Sequence, residues 1–452
     1  MEEKKVISLA ETIDVLAKGR KFSTVRDILT TMNPVDIAAY FDEVSEANLP
    51  ILFRLLPKDL AADTFVEMDA STQEILIHAF SENELKAVME ELYVDDAVDI
   101  IEEMPANVVK RILKNTSPEM RKTINEFLKY PDDSAGSIMT VEYVSLRPSM
   151  TVKDAIARIR RTGIDKETIY TCYVTQENKK LLGLVTAKAL LLADEDAVVE
   201  EIMEKNIIHV RTADDKEEVA IKFNKYGFLA MPVVDDEERL VGIVTVDDAI
   251  DVLTEEATED MEVMAAITPS DKPYLKIGVF ETFRQRVPWL LILMISATFT
   301  GLIITSFENA LKAQLILSAF IPMLMDTAGN SGSQASVTII RGLSLSEIQF
   351  KDIFTILWKE FRVSLLCGIV LGAANFVKML IIDKVSIMIG AVVCITLVIT
   401  VVFAKIVGCT LPVLAKKIGF DPAVMASPFI TTIVDALSLV VYFTMASVLL
   451  GI

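Results

Sequence analysis

The chain has 452 residues, of which 52% are hydrophobic, and a formal net charge of −20. The length suggests about three domains, the hydrophobic fraction is too high for a typical soluble protein, and the acidic balance gives no reason to expect a nucleic-acid partner. Residues 1–271 contain 55 Asp or Glu against 30 Lys or Arg, whereas residues 272–452 contain 9 against 14. An acidic, water-facing half therefore precedes an apolar half. The start lacks the apolar core of a signal peptide, so we expect the acidic half to stay in the cytoplasm.

Residues 1–130 predict an acidic, all-helical N domain. Apolar residues recur at spacings of three and four in short segments such as LPKDLAADTFVEM, SENELKAVMEELY and VDDAVDIIEEMP. These segments repeat at under about 25 residues, which is typical of stacked helical hairpins. They show no catalytic constellation, and His78 is interpreted as a surface or packing residue.

Residues 131–253 predict two α/β repeats, at about 131–198 and 199–253. SIMTVEYVSLRPSMTVKDAIARIR resembles EIMEKNIIHVRTADDKEEVAIKF, and CYVTQENKKLLGLVTAKALL resembles MPVVDDEERLVGIVTVDDAI. This tandem pattern resembles a pair of CBS modules, small α/β units that often bind adenine nucleotides or mediate dimers.

The ribose-binding pattern of CBS modules is complete in the second copy only. In the first copy Ala189 replaces the aspartate, so half of any nucleotide site is in question. The matching residues are Gly242, Thr245 and Asp248 in the second copy and Gly183 and Thr186 in the first.

A connecting helix is predicted at 254–283. The acidic run TVDDAIDVLTEEATEDMEV starts before this helix and continues into its first part. Spacings of three and four place several of its carboxylates near one helix face, where like charges repel. Divalent cations could bridge such a face to another acidic surface, for which Asp95 and Asp99 in VDDAVDIIEE are the candidates. The alternative, a merely solvated charged face, stays open. The acidic residues of the run include Asp248, Asp251, Glu255, Glu256, Glu259 and Asp260.

Residues 284–452 predict a transmembrane domain of five helices. The first span has 21 residues without a charge, VPWLLILMISATFTGLIITSF, enough to cross roughly 30 Å of hydrocarbon. Further spans follow at about 313–340, 361–382, 385–415 and 422–452. Five spans and a cytoplasmic N-terminus leave the C-terminus outside, which agrees with the placement of Lys and Arg. Those on the inner side are Lys272, Lys276, Arg284, Arg286, Arg341, Lys351, Lys359, Arg362, Lys416 and Lys417.

Asp435 has no cation beside it over some thirty residues of the last span. An ionised carboxylate at bilayer depth costs at least a few kcal/mol and usually marks an ion or proton route. A helix–helix hydrogen bond is the alternative.

The second predicted span has an unusual composition. Pro322, Asp326 and its glycines predict irregular backbone, which survives at membrane depth only where it lines a cavity or is buried in protein. Close packing through small residues is the alternative. The hard oxygen donors of the segment are offered by Gly329, Asn330, Ser331, Gly332, Ser333 and Gln334.

Oxygen donors with few charges suit Mg²⁺, which sheds water reluctantly and is usually held by one or two carboxylates. In a homodimer, two copies of Asp435 could face one axial ion without binding it too tightly for passage. The predicted spans show no pairing of His or Cys residues that would indicate a route for soft transition metals.

These parts, in this order, resemble the MgtE family of magnesium channels over essentially the whole chain. The most specific segments are IPMLMDTAGNSGSQASVTIIRGL, DPAVMASPFITTIVDALSLVVYF and VGIVTVDDAIDVLTEEATED. The resemblance implies a homodimer in the cell membrane with the pore on its two-fold axis. It further implies that Asp435 holds hydrated Mg²⁺ and that residues 329–334 line the pore.

The resemblance also implies that cytosolic Mg²⁺ binds between the N domain, the CBS pair and the connecting helix and closes the pore. Some members bind ATP in the CBS pair, which here would involve Tyr170 and Lys188. The implied sensor residues are Asp63, Asp95, Asp99, Asp248, Asp251, Glu256, Glu259 and Asp260.

The sequence thus predicts a passive Mg²⁺ channel closed by cytosolic Mg²⁺, with divalent cations and membrane lipid as its partners. One rival is a proton- or Na⁺-coupled transporter in which Asp435 works with Asp326 or Lys405. Another is a nucleotide sensor that the helices merely tether to the membrane. An enzyme is not expected, because the chain shows no nucleophile–base set, phosphate loop or zinc motif.

Overall fold

The computed structural model describes residues 9–270, 272 and 274–451. The chain divides into two compact units, Met1–Leu253 and Thr254–Ile452. The first unit contains an all-helical region followed by two three-stranded sheets with helices, and the second unit is helical. The predicted multi-domain fold class is therefore confirmed.

Short helices make up the described part of the N domain, and some of them begin with a side-chain cap. The Asn33 side chain accepts from the backbone N–H of Val35 at the start of α3 (Pro34–Glu43), and Ser81 and Glu84 form a capping box at the start of α7 (Glu82–Met89). Such caps satisfy free N–H groups of the first turn and fix where the capped helices begin. The helices are α1 (Leu9–Lys18), α2 (Phe22–Leu29), α3 (Pro34–Glu43), α4 (Leu49–Phe53), α5 (Lys58–Val66), α6 (Ala70–Ala79), α7 (Glu82–Met89), α8 (Val94–Glu103), α9 (Ala106–Asn115) and α10 (Pro118–Phe127).

The core of this region is aromatic. The ring of Phe53 lies 6.2 Å from that of Phe65 and 5.3 Å from that of Phe80, centroid to centroid, and all three rings are buried. These contacts join α4, α5 and the end of α6.

The two repeats have the same topology. In each sheet the first strand pairs in parallel with the second, and the second pairs antiparallel with the third. The elements are β1 (Tyr143–Leu146), α11 (Val152–Thr162), β2 (Thr168–Thr175), β3 (Leu181–Thr186), α12 (Ala187–Leu192), α13 (Val199–Ile202), β4 (Val210–Arg211), α14 (Lys216–Tyr226), β5 (Ala230–Val234), β6 (Leu240–Thr245) and α15 (Val246–Met264).

The repeats are interlocked through their backbones. Thr140 of the first repeat pairs with Ile243 on β6, and Glu204 of the second repeat pairs with Leu184 on β3. The hairpin turns also bond to each other, since Leu181 N–H donates to Glu238 and Leu240 N–H donates to Lys179. One repeat therefore completes the sheet edge of the other.

Helix α15 differs in extent from the connecting helix predicted at 254–283. It begins at Val246, ends at Met264 and is followed by a non-helical stretch. The backbone at Ala266 explains the early end, because this residue adopts a left-handed conformation with φ of 55°. The N–H of Ala266 donates to the carbonyl of Val263 and the N–H of Ile267 donates to the carbonyl of Glu262, the bonds of a Schellman cap that ends a helix.

Long helices form the second unit. Four of those described are long and apolar enough to cross a membrane, and they span Val279–Ser306, Phe350–Ile381, Ile387–Lys417 and Pro422–Leu450, the second and fourth counted with the 3₁₀ turns that precede them. The elements after α15 are α16 (Val279–Ser306), α17 (Glu308–Ala313), a 3₁₀ turn (Leu315–Phe320), α18 (Ile321–Ser344), a 3₁₀ turn (Phe350–Asp352), α19 (Ile353–Ile381), α20 (Ile387–Lys417), a 3₁₀ turn (Pro422–Met425) and α21 (Ser427–Leu450).

The predicted break in the second span is wrong. Helix α18 runs without interruption over 24 residues, about 36 Å, which is enough to cross the hydrocarbon although its polar residues lower its hydropathy. Pro322 lies in its first turn, where proline is tolerated because that N–H has no helical partner.

The glycines of α18 are packing residues. A Cβ atom at Gly408 on α20 would lie 2.3 Å from the carbonyl oxygen of Gly332, so the backbones of α18 and α20 are in direct contact there. A Cβ atom at Gly332 would in turn lie 3.2 Å from the carbonyl oxygen of Ala404. The helices can approach this closely only because both positions lack a side chain.

Candidate functional site: an acidic face and a polar membrane helix

An acidic face is formed in the first unit by Asp95, Asp96, Asp99 and Asp248. The first three lie on α8, where Tyr93 is the N-cap residue and its backbone N–H donates to Asp96. Carboxylates in a first helical turn are favoured by the helix dipole. Asp95 is only 8% exposed, and its Oδ1 atom is buried without a hydrogen-bond partner.

The acidic face lacks compensating cations. No Lys, Arg or His within the described part of this unit forms an ion pair with its four carboxylates. Burial, followed by the charge of Asp248, raises the pKa of Asp96 and also that of Asp99 to about 7. Asp99 keeps an exposed surface, so solvent weakens the effect there. Burial, followed by the charge of Asp96, raises the pKa of Asp95 well above its usual range.

Asp248 joins this face from the second repeat. Its Oδ2 atom accepts from the hydroxyl of Thr245 at 2.5 Å and from the backbone N–H of Thr245 at 3.3 Å, at the start of α15. Burial nevertheless raises the pKa of Asp248 to about 6, with the Thr245 bonds acting in the opposite direction. The carboxylate is thus partly satisfied and still electrostatically unfavourable.

A second group of carboxylates adjoins the first. Burial and then the charges of Asp251, Asp247 and Asp63 raise the pKa of Glu67. Two predicted sensor residues, Asp63 and Asp251, therefore lie close to Glu67, which the sequence analysis did not single out.

This arrangement is suited to a hydrated divalent cation. Within the described residues, no three His, Cys, Asp or Glu side chains converge closely enough to enclose a metal ion. Mg²⁺ does not need such a cage, because it keeps several waters and binds through one or two carboxylates. Among the four carboxylates of the acidic face, Asp95 is the one with a buried oxygen that has no hydrogen-bond partner among the described residues.

Asp260 has a different environment from the acidic face. Its Oδ2 atom accepts from the hydroxyl of Ser344 at 2.9 Å, at the end of α18. The pKa of Asp260 is raised, chiefly by burial and to a smaller extent by the charge of Asp421. The hydrogen bond from Ser344 and the charges of Arg341 and Lys416 act in the opposite direction.

The last turn of α15 packs on the same end of α18. Val263 and Met264 contact the cluster formed by Ile340, Ala423 and Ala426. The C-terminal end of α15 is therefore docked within the second unit, and Glu256 and Glu259 lie on this second half of the helix.

The candidate nucleotide residues lie on the surface of the first repeat. Tyr170 is 65% exposed at the start of β2, and Lys188 is exposed on α12. Thr186 caps α12 by accepting from the N–H of Ala189, so its hydroxyl oxygen already has a backbone partner. In the second repeat, the carboxylate of Asp248 is bonded to Thr245 instead of being free.

Asp435 lies on the seam between α18 and α21. A Cβ atom at Gly329 would lie 3.1 Å from a methyl carbon of Thr431 and 3.9 Å from Oδ1 of Asp435. The missing side chain of Gly329 thus lets α18 reach the carboxylate. Asp326 on α18 is near enough for its charge to act on Asp435.

A polar stripe runs along the exposed side of α18. Asp326, Asn330 and Gln334 are spaced four residues apart, so they share one helix face, and all three are exposed. Gly329, Ser331 and Gly332 are buried on the packed side. Because α18 is a regular helix, its carbonyls bond within the helix, and the expectation that the backbone at 329–334 offers free oxygen ligands is wrong. The side chains of Asn330 and Gln334 remain as donors of oxygen.

Lys405 is buried beside α19. Its ammonium lies 3.5 Å from Oε2 of Glu360, and only 6% of the residue is exposed. The pair balances a charge that would otherwise be costly at this depth.

Several residues of these sites were missed by the sequence analysis as site residues. They are Glu67, Asp96, Glu142, Glu167 and Asp247. Asp326 was considered as a possible partner of Asp435 in proton or Na⁺ coupling, and not as part of a Mg²⁺ path. Nothing local marks the glutamates, because tertiary contacts bring them to the acidic face.

Comparisons with known proteins cover nearly the whole chain. A family model described as a divalent cation transporter, MgtE, matches residues 321–445, the model of the MgtE intracellular N domain matches 32–133, and the CBS model matches 135–196 and 199–255. The chain is 36% identical over 458 residues to the magnesium transporter MgtE of Thermus thermophilus, covering 100% of this chain and 99% of the relative. It is 33% identical over 439 residues to the magnesium transporter MgtE of Bacillus subtilis, covering 96% of each.

A solved structure is similar to the first unit. The crystal structure of the cytosolic domain of the Mg²⁺ channel MgtE in complex with ATP aligns with a TM-score of 0.52 and 35% identity. The alignment covers 54% of this chain and 100% of that domain.

Proposed function

Because the chain belongs to the MgtE family of divalent cation transporters, we propose that it is a Mg²⁺ channel closed by cytosolic Mg²⁺. Family membership makes it a membrane transport protein and not an enzyme. In this proposal Mg²⁺ enters passively, driven by the membrane potential, which is worth about 2.3 kcal/mol per charge per 100 mV.

The observation that most supports a cation path is the polar stripe on α18. Asp326, Asn330 and Gln334 are exposed on a helix long enough to span the hydrocarbon, beside Asp435. Polar groups facing lipid would cost several kcal/mol each, so such a stripe requires water or a protein partner. A water-filled path with hydrated Mg²⁺ held by Asp435 and the amides meets this requirement.

We propose a homodimer with this path on its two-fold axis. Two copies of α18 would then turn their polar stripes towards each other, and two copies of Asp435 would face one ion. The N domain and repeats would lie in the cytoplasm, and the C-terminus would lie outside.

Closure by cytosolic Mg²⁺ is supported by the uncompensated charge of the acidic face. Without cations, Asp95, Asp96 and Asp248 repel one another, which favours separation of the N domain from the second repeat. Mg²⁺ that bridges the carboxylates would stabilise the arrangement in which the N domain is associated with the second repeat. The equilibrium between the separated and associated arrangements would shift by as much as Mg²⁺ prefers the associated one. Helix α15 carries Asp248 in its first turn and Asp260, which accepts from Ser344 of α18, near its end, so it is the element through which the change would reach the membrane.

The buried pair of Lys405 and Glu360 argues against proton coupling through Lys405, because each charge already has its partner. Asp326 remains the one candidate for a coupled transporter from the sequence analysis, and we assign it instead to the cation path.

A nucleotide-responsive protein is the second candidate, favoured by the ATP complex of the similar cytosolic domain. ATP would bind near Tyr170 and Lys188. Calorimetry of the full-length protein with ATP, with and without Mg²⁺, tests this, and tight ATP binding without any response to Mg²⁺ would favour it over Mg²⁺ sensing.

The proposed function is tested by Mg²⁺ flux into vesicles containing the purified protein and a Mg²⁺-sensitive dye. We expect flux to follow an imposed membrane potential, to be indifferent to pH and Na⁺ gradients, and to stop when millimolar Mg²⁺ is present on the side of the N domain. Flux that requires a proton or Na⁺ gradient would contradict a passive channel. Flux that persists at high Mg²⁺ on both sides would contradict closure by cytosolic Mg²⁺.

A further inference from the structure

Two glutamates of the first repeat lie beside the acidic face and have no assigned role. Glu142 lies just before β1 and Glu167 just before β2. The backbone N–H of Glu167 donates to the carbonyl of Glu142 at 2.9 Å, so the two residues are held side by side. We refer to them as the glutamate pair.

The glutamate pair is anchored to the second repeat. Oε2 of Glu142 accepts from the hydroxyl of Thr140 at 2.6 Å and from the N–H of Val141 at 3.1 Å. Thr140 is fully buried and forms two backbone hydrogen bonds with Ile243 on β6. Since β6 ends at Thr245, next to Asp248, the same strand positions both the glutamate pair and the aspartate.

The charges that surround the glutamate pair are those of the acidic face and of Asp247. Burial and then the charges of Asp247, Asp96 and Asp248 raise the pKa of Glu167 to about 7. The charges of both glutamates contribute, after burial and the nearby aspartates, to the raised pKa of Asp95. Tyr93, the N-cap residue of α8, is close enough to Glu167, Glu142 and Asp96 for their charges to act on its hydroxyl group. Neither glutamate forms an ion pair with any Lys, Arg or His in the described part of the first unit.

We propose that Glu142 and Glu167 form a third wall of the Mg²⁺ sensor, so that a hydrated cation joins the N domain to both repeats. This inference rests on the proposed control by Mg²⁺ and extends the ligand set of that site. Asp95 supplies the independent indication of a ligand, because its buried Oδ1 atom points to no hydrogen-bond donor of the described protein. The cation would keep much of its water, in agreement with carboxylates that do not converge on one point.

The consequence is a sensor that binds Mg²⁺ only when the N domain, the first repeat and the second repeat are close together. A cation held only by α8 and Asp248 would report the position of the N domain against the second repeat. With the glutamate pair included, the ion also depends on the first repeat. Loss of one outer carboxylate from a hydrated site should weaken binding roughly tenfold, the lower end of what outer partners contribute at metal sites.

The test uses the full-length protein in detergent or vesicles. Glu167→Gln keeps the size of the side chain and leaves the main-chain hydrogen bond of residue 167 unchanged, but it removes the charge. We expect the Mg²⁺ concentration that gives half-maximal protection from protease to rise roughly tenfold, while the melting temperature in EDTA rises because a repulsive carboxylate is lost. A merely structural role would instead lower the melting temperature under both conditions.

Two controls sharpen the result. Glu177→Gln, at an exposed glutamate of the same repeat, should leave both readouts unchanged. Glu167→Asp, which keeps the charge on a shorter side chain, should restore part of the response. Hexaamminecobalt(III), a stable analogue of a fully hydrated cation, should protect the wild-type protein and should protect Glu167→Gln less well.

The outcomes separate this inference from the proposed function. If Glu167→Gln and Glu142→Gln respond to Mg²⁺ as the wild type does while Asp248→Asn does not, the glutamate pair is outside the site and Mg²⁺ sensing stands. If the wild-type protein itself shows no Mg²⁺-dependent protection, the proposed function fails together with this inference.

Discussion

Neutralising one carboxylate of the acidic face should stabilise the cation-free protein, and Asp96→Asn is the most informative such change. Asp96 has a pKa raised from 3.8 to about 7 by burial and by the charge of Asp248. At about 1.4 kcal/mol for each unit by which a pKa changes, the ionised side chain costs at most about 4 kcal/mol in the folded protein. Solvent at its partly exposed surface screens some of this, leaving about 2 kcal/mol.

The pH dependence follows from the direction of the change. The cost is present in full above pH 7, the folded pKa, and is lost as the pH falls towards 3.8, where the unfolded chain also binds the proton. We therefore expect Asp96→Asn to stabilise the first unit by about 2 kcal/mol at pH 8, and by less than about 1 kcal/mol at pH 5. In saturating Mg²⁺ the variant should gain less stability than the wild type, because it has lost a ligand.

The assay is thermal unfolding followed by fluorescence, in EDTA and in Mg²⁺, at both pH values. For a unit of this size, 2 kcal/mol corresponds to an increase of about 4–8 °C. Asp36→Asn is the matched control, since Asp36 occupies the same position in the first turn of α3 but is exposed. The reasoning is refuted if Asp96→Asn lowers the melting temperature in EDTA, or raises it equally at pH 5 and pH 8.

Two further predictions concern the membrane unit. Gly408→Ala would place a methyl group 2.3 Å from the carbonyl oxygen of Gly332, so we expect loss of monodisperse protein in size-exclusion chromatography. Gly301→Ala, where nothing lies within 4 Å, should behave as wild type, and equal yields of the two variants would contradict the described packing. Asp260→Ala removes the acceptor of the Ser344 hydroxyl, a bond to a charged group worth about 1.5–3 kcal/mol. Protease should then cleave the segment after α15 roughly tenfold faster, and an unchanged rate would show that this bond does not hold the end of α15.

The sequence was sufficient for features that depend on local pattern. The helical spacing of the N domain, the internal repeat and the long apolar stretches each predict an element directly, and the structure contains them. Family resemblance supplied what spacing could not, above all the association of Asp95 with Asp248.

Tertiary contacts explain what the sequence left unpredicted. Pro322 and the glycines of the second span were interpreted as breaks, but the proline lies in a first turn and Gly332 packs against Gly408. Glu142 and Glu167 are separated from Asp96 by more than one element, and the pairing of Thr140 with β6 helps to hold them beside Asp248 of the acidic face.

The central claim, a Mg²⁺ path beside Asp435, is tested most directly by Mg²⁺ flux through Asp435→Asn in vesicles. The amide keeps the shape of the side chain, so folding can be verified by an unchanged elution volume and melting temperature. Asp383→Asn is the control, because Asp383 is paired with Lys378 at the end of α19. We predict that Asp435→Asn abolishes most potential-driven Mg²⁺ flux while Asp383→Asn retains it; undiminished flux through well-folded Asp435→Asn would contradict the assigned path.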